Sequence, residues 1–344
     1  MEKILTIVIP TYNMQDYLCR CLDSLIVPDN LMDIFEILVI NDGSKDGSLK
    51  IAHRYQIKYP KTFRVIDKEN GNYGSCINRG LAEAKGKYIK VLDADDWFNT
   101  QSLTAVLNVL QNIDDDVIIS DAACVRDGIE KKMNKINIPS YKHLEMSSYL
   151  LSNDILCMQM HKIIYKTELL RSINYRQSEG ISYTDQEWMF LPMAVAKTFY
   201  YIPITLYIYL LGREGQTMDK KNLIKCIGHT EKGVLKMIDD YNKSCMNLSV
   251  SQQHYLLFRI YQRLKYIYKT YIFSTELQDS ELKQFDNILK SKSEEIYRYI
   301  ETIKLNRIYP IKFIKLWRLN KGLIFVKLWN KIRKYISLTT WQIF

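Results

Sequence analysis

Val-Leu-Asp-Ala-Asp-Asp-Trp (residues 91–97) ends an apolar run, residues 88–92, and follows it at once with three carboxylates. The run reads as a buried strand of a largely parallel sheet. The acids then stand just past its carboxyl end, where open α/β sheets hold their ligands. Crowded carboxylates repel one another unless a cation or hydrogen-bond donors neutralise them. A hard divalent ion that also binds a phosphate-bearing substrate is one neutraliser; an acidic turn capping the next helix is the alternative.

Outward from this stretch, strand and helix alternate. Strands are expected at 5–9 (ended by Pro10), 35–40, 63–66 and 117–120. Helices are expected at 16–25, from Asp46 and Ser48 through Tyr55, at 75–84 after a loop at 71–74, and after a cap at Thr100. This alternation predicts a doubly wound, mostly parallel α/β sheet. Beyond Asp121 the pattern loosens: an exposed connection at 131–138, a helix at 141–151, a strand at 162–165, a helix at 185–196, and a strand pair at 198–202 and 205–211. Helical periodicity dominates from Asn222 to about Lys304. The expected division is a catalytic-type domain at 1–217, a helical region at 218–307 and a basic, aromatic tail at 308–344.

With 47% hydrophobic and 25% charged residues, the chain of 344 is long enough for one large domain and an appendage and is not of disordered type. Its seven cysteines form no Cys-x-x-Cys pair, and no signal-peptide pattern precedes the first strand, so reduced thiols in the cytoplasm are expected. The five histidines are scattered; no zinc pattern is present, and His161 and His229 read as structural or surface residues. The net charge of +10 is uneven: no acid follows Glu301, while ten lysines and arginines do.

In a parallel sheet three polar turns share one edge: Pro10-Thr11-Tyr12-Asn13, Asn41-Asp42-Gly43-Ser44 and Asp93-Ala94-Asp95-Asp96. The first lacks the Gly-x-Gly-x-x-Gly of dinucleotide binders, and no P-loop is present. A nucleotide held by carboxylates and a metal points to a diphosphate leaving group. Val-Ile-Pro-Thr-Tyr-Asn (8–13), Val-Ile-Asn-Asp-Gly-Ser-Lys-Asp-Gly-Ser (39–48), Glu-Asn-Gly-Asn-Tyr-Gly-Ser (69–75) and Asp-Ala-Asp-Asp-Trp (93–97) together resemble family 2 glycosyltransferases of the GT-A fold, over residues 3 to about 215.

The resemblance implies an inverting transferase that uses Mn2+ or Mg2+ and a nucleotide sugar, typically a UDP-sugar. By position it implies a donor site of Pro10, Thr11, Tyr12, Asp42, Asn70, Gly74, Asn78, Asp93, Ala94 and Arg213. Asp42 would accept from the base, and Asp93 and Asp95 would form the metal-binding Asp-x-Asp, with Asp96 a close alternative ligand. Many relatives carry Arg-Asn where this chain has Ile77-Asn78. Arg213, in a loop resembling one that covers the diphosphate, pairs with phosphate in this reading or else is a solvated loop residue. An inverting displacement also needs a base. Asp185 is the candidate and Glu187 the reserve, although Ser182 or Thr184 followed by acids is also an ordinary helix start.

The tail interleaves its cations with Phe313, Trp317, Phe325, Trp329, Tyr335 and Trp341. As a helix it suits an anionic membrane surface, single-stranded nucleic acid, or the protein's own helices. With a transferase body, the membrane is the expected partner: a peripheral enzyme at the inner face of the cell membrane, without nucleic acid. It would act on a saccharide or polyprenyl-linked saccharide in capsule, exopolysaccharide or related surface-glycan synthesis. The alternatives are a nucleotidyltransferase that makes the activated sugar and a catalytically silent scaffold of the same fold.

Overall fold

The computed structural model describes residues 3–213, 220–274, 276–303 and 312–319. The chain divides into two compact units, one of Met1–Gln216 with Leu248–Tyr255, the other of Thr217–Asn247 with Leu256–Phe344.

The first unit is built on a sheet of β1 (Lys3–Thr11), β2 (Phe35–Asn41), β3 (Phe63–Asp67), β4 (Gly86–Val91), β5 (Trp97–Phe98), β6 (Val117–Arg126), β7 (Ile129–Lys132), β8 (His143–Glu145), β9 (Ile163–Lys166) and β10 (Thr198–Leu210). The order is β3-β2-β1-β4-β9-β6-β10-β5, with β7 on β6 and β8 on β10. β3, β2, β1 and β4 are mutually parallel, as the alternation predicts. β10 is also parallel to β6, but β9 enters antiparallel between β4 and β6, and β5 is antiparallel to β10. The sheet is therefore mixed, with parallel pairing dominant on the side that carries the first three polar turns.

Several local expectations are corrected. β1 runs through Pro10 to Thr11; its pairing with β4 ends at Val8, so the missing Pro10 N–H breaks no bond on that side. The helix Asn72–Glu83 starts inside the expected loop, and Asn99 rather than Thr100 caps Thr100–Leu110, accepting from Ser102 N–H at 3.0 Å. Residues 185–196 form two short helices, Asp185–Trp188 and Leu191–Val195, because Pro192 can sit only at a helix start. The expected strand pair is the single strand β10, with Pro203 in the irregularity between Ile202 and Thr205. Residues 141–151 give β8 and the short helix Met146–Tyr149. Within 131–138, the start belongs to β7, and Ile136 and Ile138 are buried.

The core is dense with β-branched and aromatic side chains from the inner strands, Ile7, Ile9, Ile37, Val39, Tyr88 and Tyr207 among them, packed under helix residues such as Leu18, Leu22, Leu103 and Leu107. Burial on this scale is what holds the strand ends, and so the polar turns, in fixed register.

The second unit is helical: Lys220–Lys225, Ile227–Ser244, most of Val250–Phe273, Asp279–Lys292, Glu294–Ile300 and Phe313–Leu319. The last of these belongs to the expected membrane-facing tail. Its Phe313, Ile314 and Trp317 are instead buried, and Trp317 Nε1 donates to Asp279 at 2.7 Å. Arg318 is sunk beside them, donating to Asp286 at 2.6 Å and to Glu301 at 3.0 Å. This part of the tail docks on the protein's own helices. Phe325, Trp329, Tyr335 and Trp341 lie outside the described residues. Among the described residues no helix is long and apolar enough to cross a membrane.

Candidate active site

The turn after β4 is held from three directions. β9 runs antiparallel to β4, with Ile89 opposite Tyr165, so the residues just before β9 arrive beside the residues just after β4. This brings His161 to Asp93 and Asp96: each of the three presents a ligand atom, all within 4.8 Å of one another. β5 pairs with β10, Trp97 opposite Ile208, which sets β10 against Asp96. Tyr207 Oη donates to Asp96 Oδ2 at 2.6 Å and Leu210 N–H to Oδ1 at 2.8 Å. On the other flank Tyr73 Oη donates to Asp93 Oδ1 at 2.8 Å.

Burial and the charges of its neighbours shape the acids. Burial first, then Asp95, pushes Asp93 up to about 7. Asp96 is pushed well above the usual carboxylate range by burial and by Asp93 and Asp95. Burial pulls His161 down to about 4, so its imidazole is neutral near pH 7. The ring stacks on Tyr209 at 4.8 Å, and its buried Nδ1 has no hydrogen-bond partner among the described residues. Carboxylates that repel in a low-dielectric setting, beside a neutral imidazole with an unused nitrogen, are a donor set that fits a divalent cation.

Asp95 is held by arginines. Its Oδ2 lies 2.5 Å from Arg213 Nε, and its carbonyl accepts from Arg20 at 3.1 Å. Arg213 therefore reaches the acid turn from the end of β10, whereas residues 214–219 lie outside the described residues.

At the neighbouring turn Asp42 is buried, paired with Lys68, and accepts from Gly71 N–H at 2.9 Å. Asn70 Nδ2 donates to the Asp42 carbonyl at 2.9 Å. Gly71 thus bonds Asp42 while Tyr73, on the same turn, bonds Asp93, so one short segment ties the two acidic turns together. Of the β1 turn, Thr11 is buried with its hydroxyl on Ile9 O at 3.1 Å, Pro10 is half-buried, and Tyr12 is exposed. Ala94 is buried. Asn13, Asn72 and Tyr183 adopt positive φ of 53°, 66° and 64°, backbone rarely used by non-glycine residues and frequent at ligand sites.

Asn78 spends its amide on the segment before the candidate base: Nδ2 donates to Gln177 O and to Glu179, each at 2.8 Å, and Oδ1 accepts from Gln177 N–H at 2.8 Å. Gly74 is in close contact there too, since an added Cβ would lie 1.9 Å from Ser178 O. Glu187 is buried and accepts from Ser178 N–H at 2.9 Å. Asp185, half-buried, contacts Gln186 at 2.7 Å, and its charge acts on Tyr73, Asp93 and His161. The structure thus gathers Asp185, the acid turn and Arg213, and leaves Asn78, Gly74 and Glu187 holding the walls. His161, Tyr73 and Tyr207 escape the sequence reading; strand pairing, not local spacing, brings the first and last of them in.

Such a sheet, with acids at the carboxyl end of its fourth strand, is the GT-A fold of nucleotide-sugar transferases. The family model for glycosyl transferase family 2 matches residues 6–173 of this chain. The chain is 36% identical over 125 residues to an uncharacterized glycosyltransferase of Mycoplasma pneumoniae, the MG025 homolog, covering 36% of this chain and 40% of that one. It is 26% identical over 215 residues to the poly(ribitol-phosphate) beta-N-acetylglucosaminyltransferase TarS of Staphylococcus aureus, covering 62% of this chain and 36% of the relative. The chain spans between 35% and 40% of the first curated relatives it matches. The crystal structure of S. aureus TarS 1–349 in complex with UDP-GlcNAc superposes with a TM-score of 0.62 at 21% identity, covering 85% of this chain and 82% of that one.

Proposed function

We propose that the chain is an inverting, metal-dependent glycosyltransferase that moves a sugar from a nucleoside diphosphate, UDP first among the candidates, to a saccharide hydroxyl. The observation that carries this reading is the cluster of Asp93, Asp96 and His161 beside Asp95, tied through residues 71–73 to Asp42. Asp42 accepts from the base; Asp93 and Asp95 hold the ion, with Asp96 and His161 in reach. A bound Mn2+ or Mg2+ supplies Lewis-acid stabilisation of the departing diphosphate. Asp96, with both oxygens already bonded to β10, also fixes the turn itself.

Asp185 acts as base. As the acceptor oxygen bonds to the anomeric carbon, the bond from that carbon to the diphosphate oxygen breaks, its electron pair leaves with the nucleoside diphosphate, and the hydroxyl proton passes to Asp185. Arg213 offers a planar donor pair to the diphosphate. The acceptor is a surface glycan, carried on a polyprenyl lipid or on a polymer such as the one in the staphylococcal relative's name, and is met at the cytoplasmic membrane face. The acid-free basic end of the chain supports that placement.

Calorimetry of UDP with and without Mn2+ tests the site. Wild type is expected to bind UDP in a manganese-dependent way, and Asp95→Ala to lose this by at least about ten-fold, the loss expected of a broken coordination shell. Release of nucleoside diphosphate, not pyrophosphate, during turnover separates glycosyl from nucleotidyl transfer.

A further inference from the structure

Asp95 is closed by the protein itself. Arg213 Nε sits 2.5 Å from its Oδ2, with only 14% of the arginine side chain and 11% of the aspartate side chain exposed. The arginine is firmly delivered: it follows β10, whose Leu210 N–H is bonded to Asp96 at 2.8 Å, and its guanidinium lies 5.5 Å from the Tyr17 ring centroid. One of the chain's own cations therefore occupies a carboxylate that the reading above gives to a divalent ion. A carboxylate this enclosed does not hold both at full strength, because two cations at short range in a poorly solvated site repel strongly.

We propose that Arg213 and the divalent ion exchange at Asp95, so that the true substrate of this site is the metal complex of the nucleoside diphosphate sugar. The inference deepens the proposed function and rests on it. A free ion entering alone has to break the Arg213–Asp95 ion pair and offers the guanidinium no anion in its place. An ion that arrives on a diphosphate brings anionic oxygens to which the guanidinium transfers, and its fork suits phosphate as well as carboxylate. Ion and diphosphate therefore strengthen each other's binding, and by reciprocity each weakens when the other leaves. Once the nucleoside diphosphate departs, Arg213 returns to Asp95 and the ion goes with the product.

The test uses the full chain, titrated with MnCl2 in the absence of nucleotide and then with UDP at saturating manganese. Arg213→Gln is expected to bind free manganese roughly ten-fold tighter than wild type, while its affinity for UDP with manganese falls. Arg213→Lys, which keeps the charge but not the fork, is expected to stay close to wild type in its affinity for free manganese, and adding Asp95→Asn to Arg213→Gln removes the gain. Melting temperatures within the wild-type range show that the variants are folded. If wild type binds UDP with manganese but Arg213→Gln shows unchanged or weaker affinity for free manganese, the exchange is overturned and the proposed function stands. If the gain survives in the double variant, the competition is not at Asp95 and the inference also falls. A wild type that binds no UDP under any metal condition overturns the nucleotide reading and, with it, this one.

Discussion

Asp185 and Glu187 are neighbours on one short helix, yet their surroundings differ. Glu187 is buried and braces Ser178, whereas Asp185 remains half-buried, its charge felt at Asp93 and His161. Asp185→Asn is expected to keep manganese-dependent UDP binding and to lose kcat by about 10²–10⁴, the range for removing a general base. Glu187→Gln should instead act on stability, read as a lower melting temperature. A mutant pair in which Glu187→Gln loses turnover and Asp185→Asn does not would reverse the assignment. The acids at 93, 95, 96 and 185 were legible because carboxylates stand out at the end of an apolar run or at a helix start. His161 was not. Its neighbours in sequence are ordinary, and it enters the site only because β9 turns back against β4. Nor does spacing tell which acid of the turn is sealed by an arginine.

The helix Asn72–Glu83 couples the nucleotide side to the base side. Its N-cap, Gly71, bonds Asp42, Tyr73 in its first turn bonds Asp93, and its Gly74 and Asn78 grip 177–179. Gly74→Ala forces that segment away and should cost about 1–3 kcal/mol, an ordinary overpacking penalty, seen in the urea midpoint. β4 makes a second strut: Lys90, fully buried, donates to the carbonyls of His161 at 2.8 Å and Ile163 at 3.2 Å. Burial pulls its ammonium down to about 7, against 10.5 when exposed. Between those two values the unfolded chain holds the proton and the folded chain does not, so folding stability rises with pH across that window. Melting temperatures from pH 7 to 9.5 should climb more steeply in wild type than in Lys90→Met; parallel curves would show that Lys90 stays charged. The parallel strands were readable from alternation, since each βα unit is local. The later elements were not, because their shape depends on long-range pairing and on Pro192 and Pro203, which break a helix and a strand that periodicity alone would run on or split.

On the scale of the whole molecule, part of the basic tail has a task other than the expected one. Phe313, Ile314, Trp317 and Arg318 complete the helical unit, which periodicity could not foresee because a docked face and a lipid-facing one look alike. We therefore propose that membrane attachment resides in residues 320–344, with the cations Lys321, Lys327, Lys331, Arg333 and Lys334. A chain ending at Leu319 should keep its melting temperature and lose sedimentation with anionic liposomes. One ending at residue 307 should in addition lose several kcal/mol of stability, as buried aromatic residues and an ion pair go with it. Unchanged liposome binding after the shorter cut would remove the membrane reading.

β10 works as a ruler between the acid turn and the arginine. Tyr207 and Leu210 fix its zero against Asp96, and Arg213 is read off three positions further along. Deleting one residue after Leu210 shifts the guanidinium without disturbing the sheet, whereas deleting one within 207–210 inverts which side chains face the acids. Only the irregularity around Pro203 can lengthen or shorten without moving any mark on that scale, so drift in chain length among descendants of this sequence should collect there.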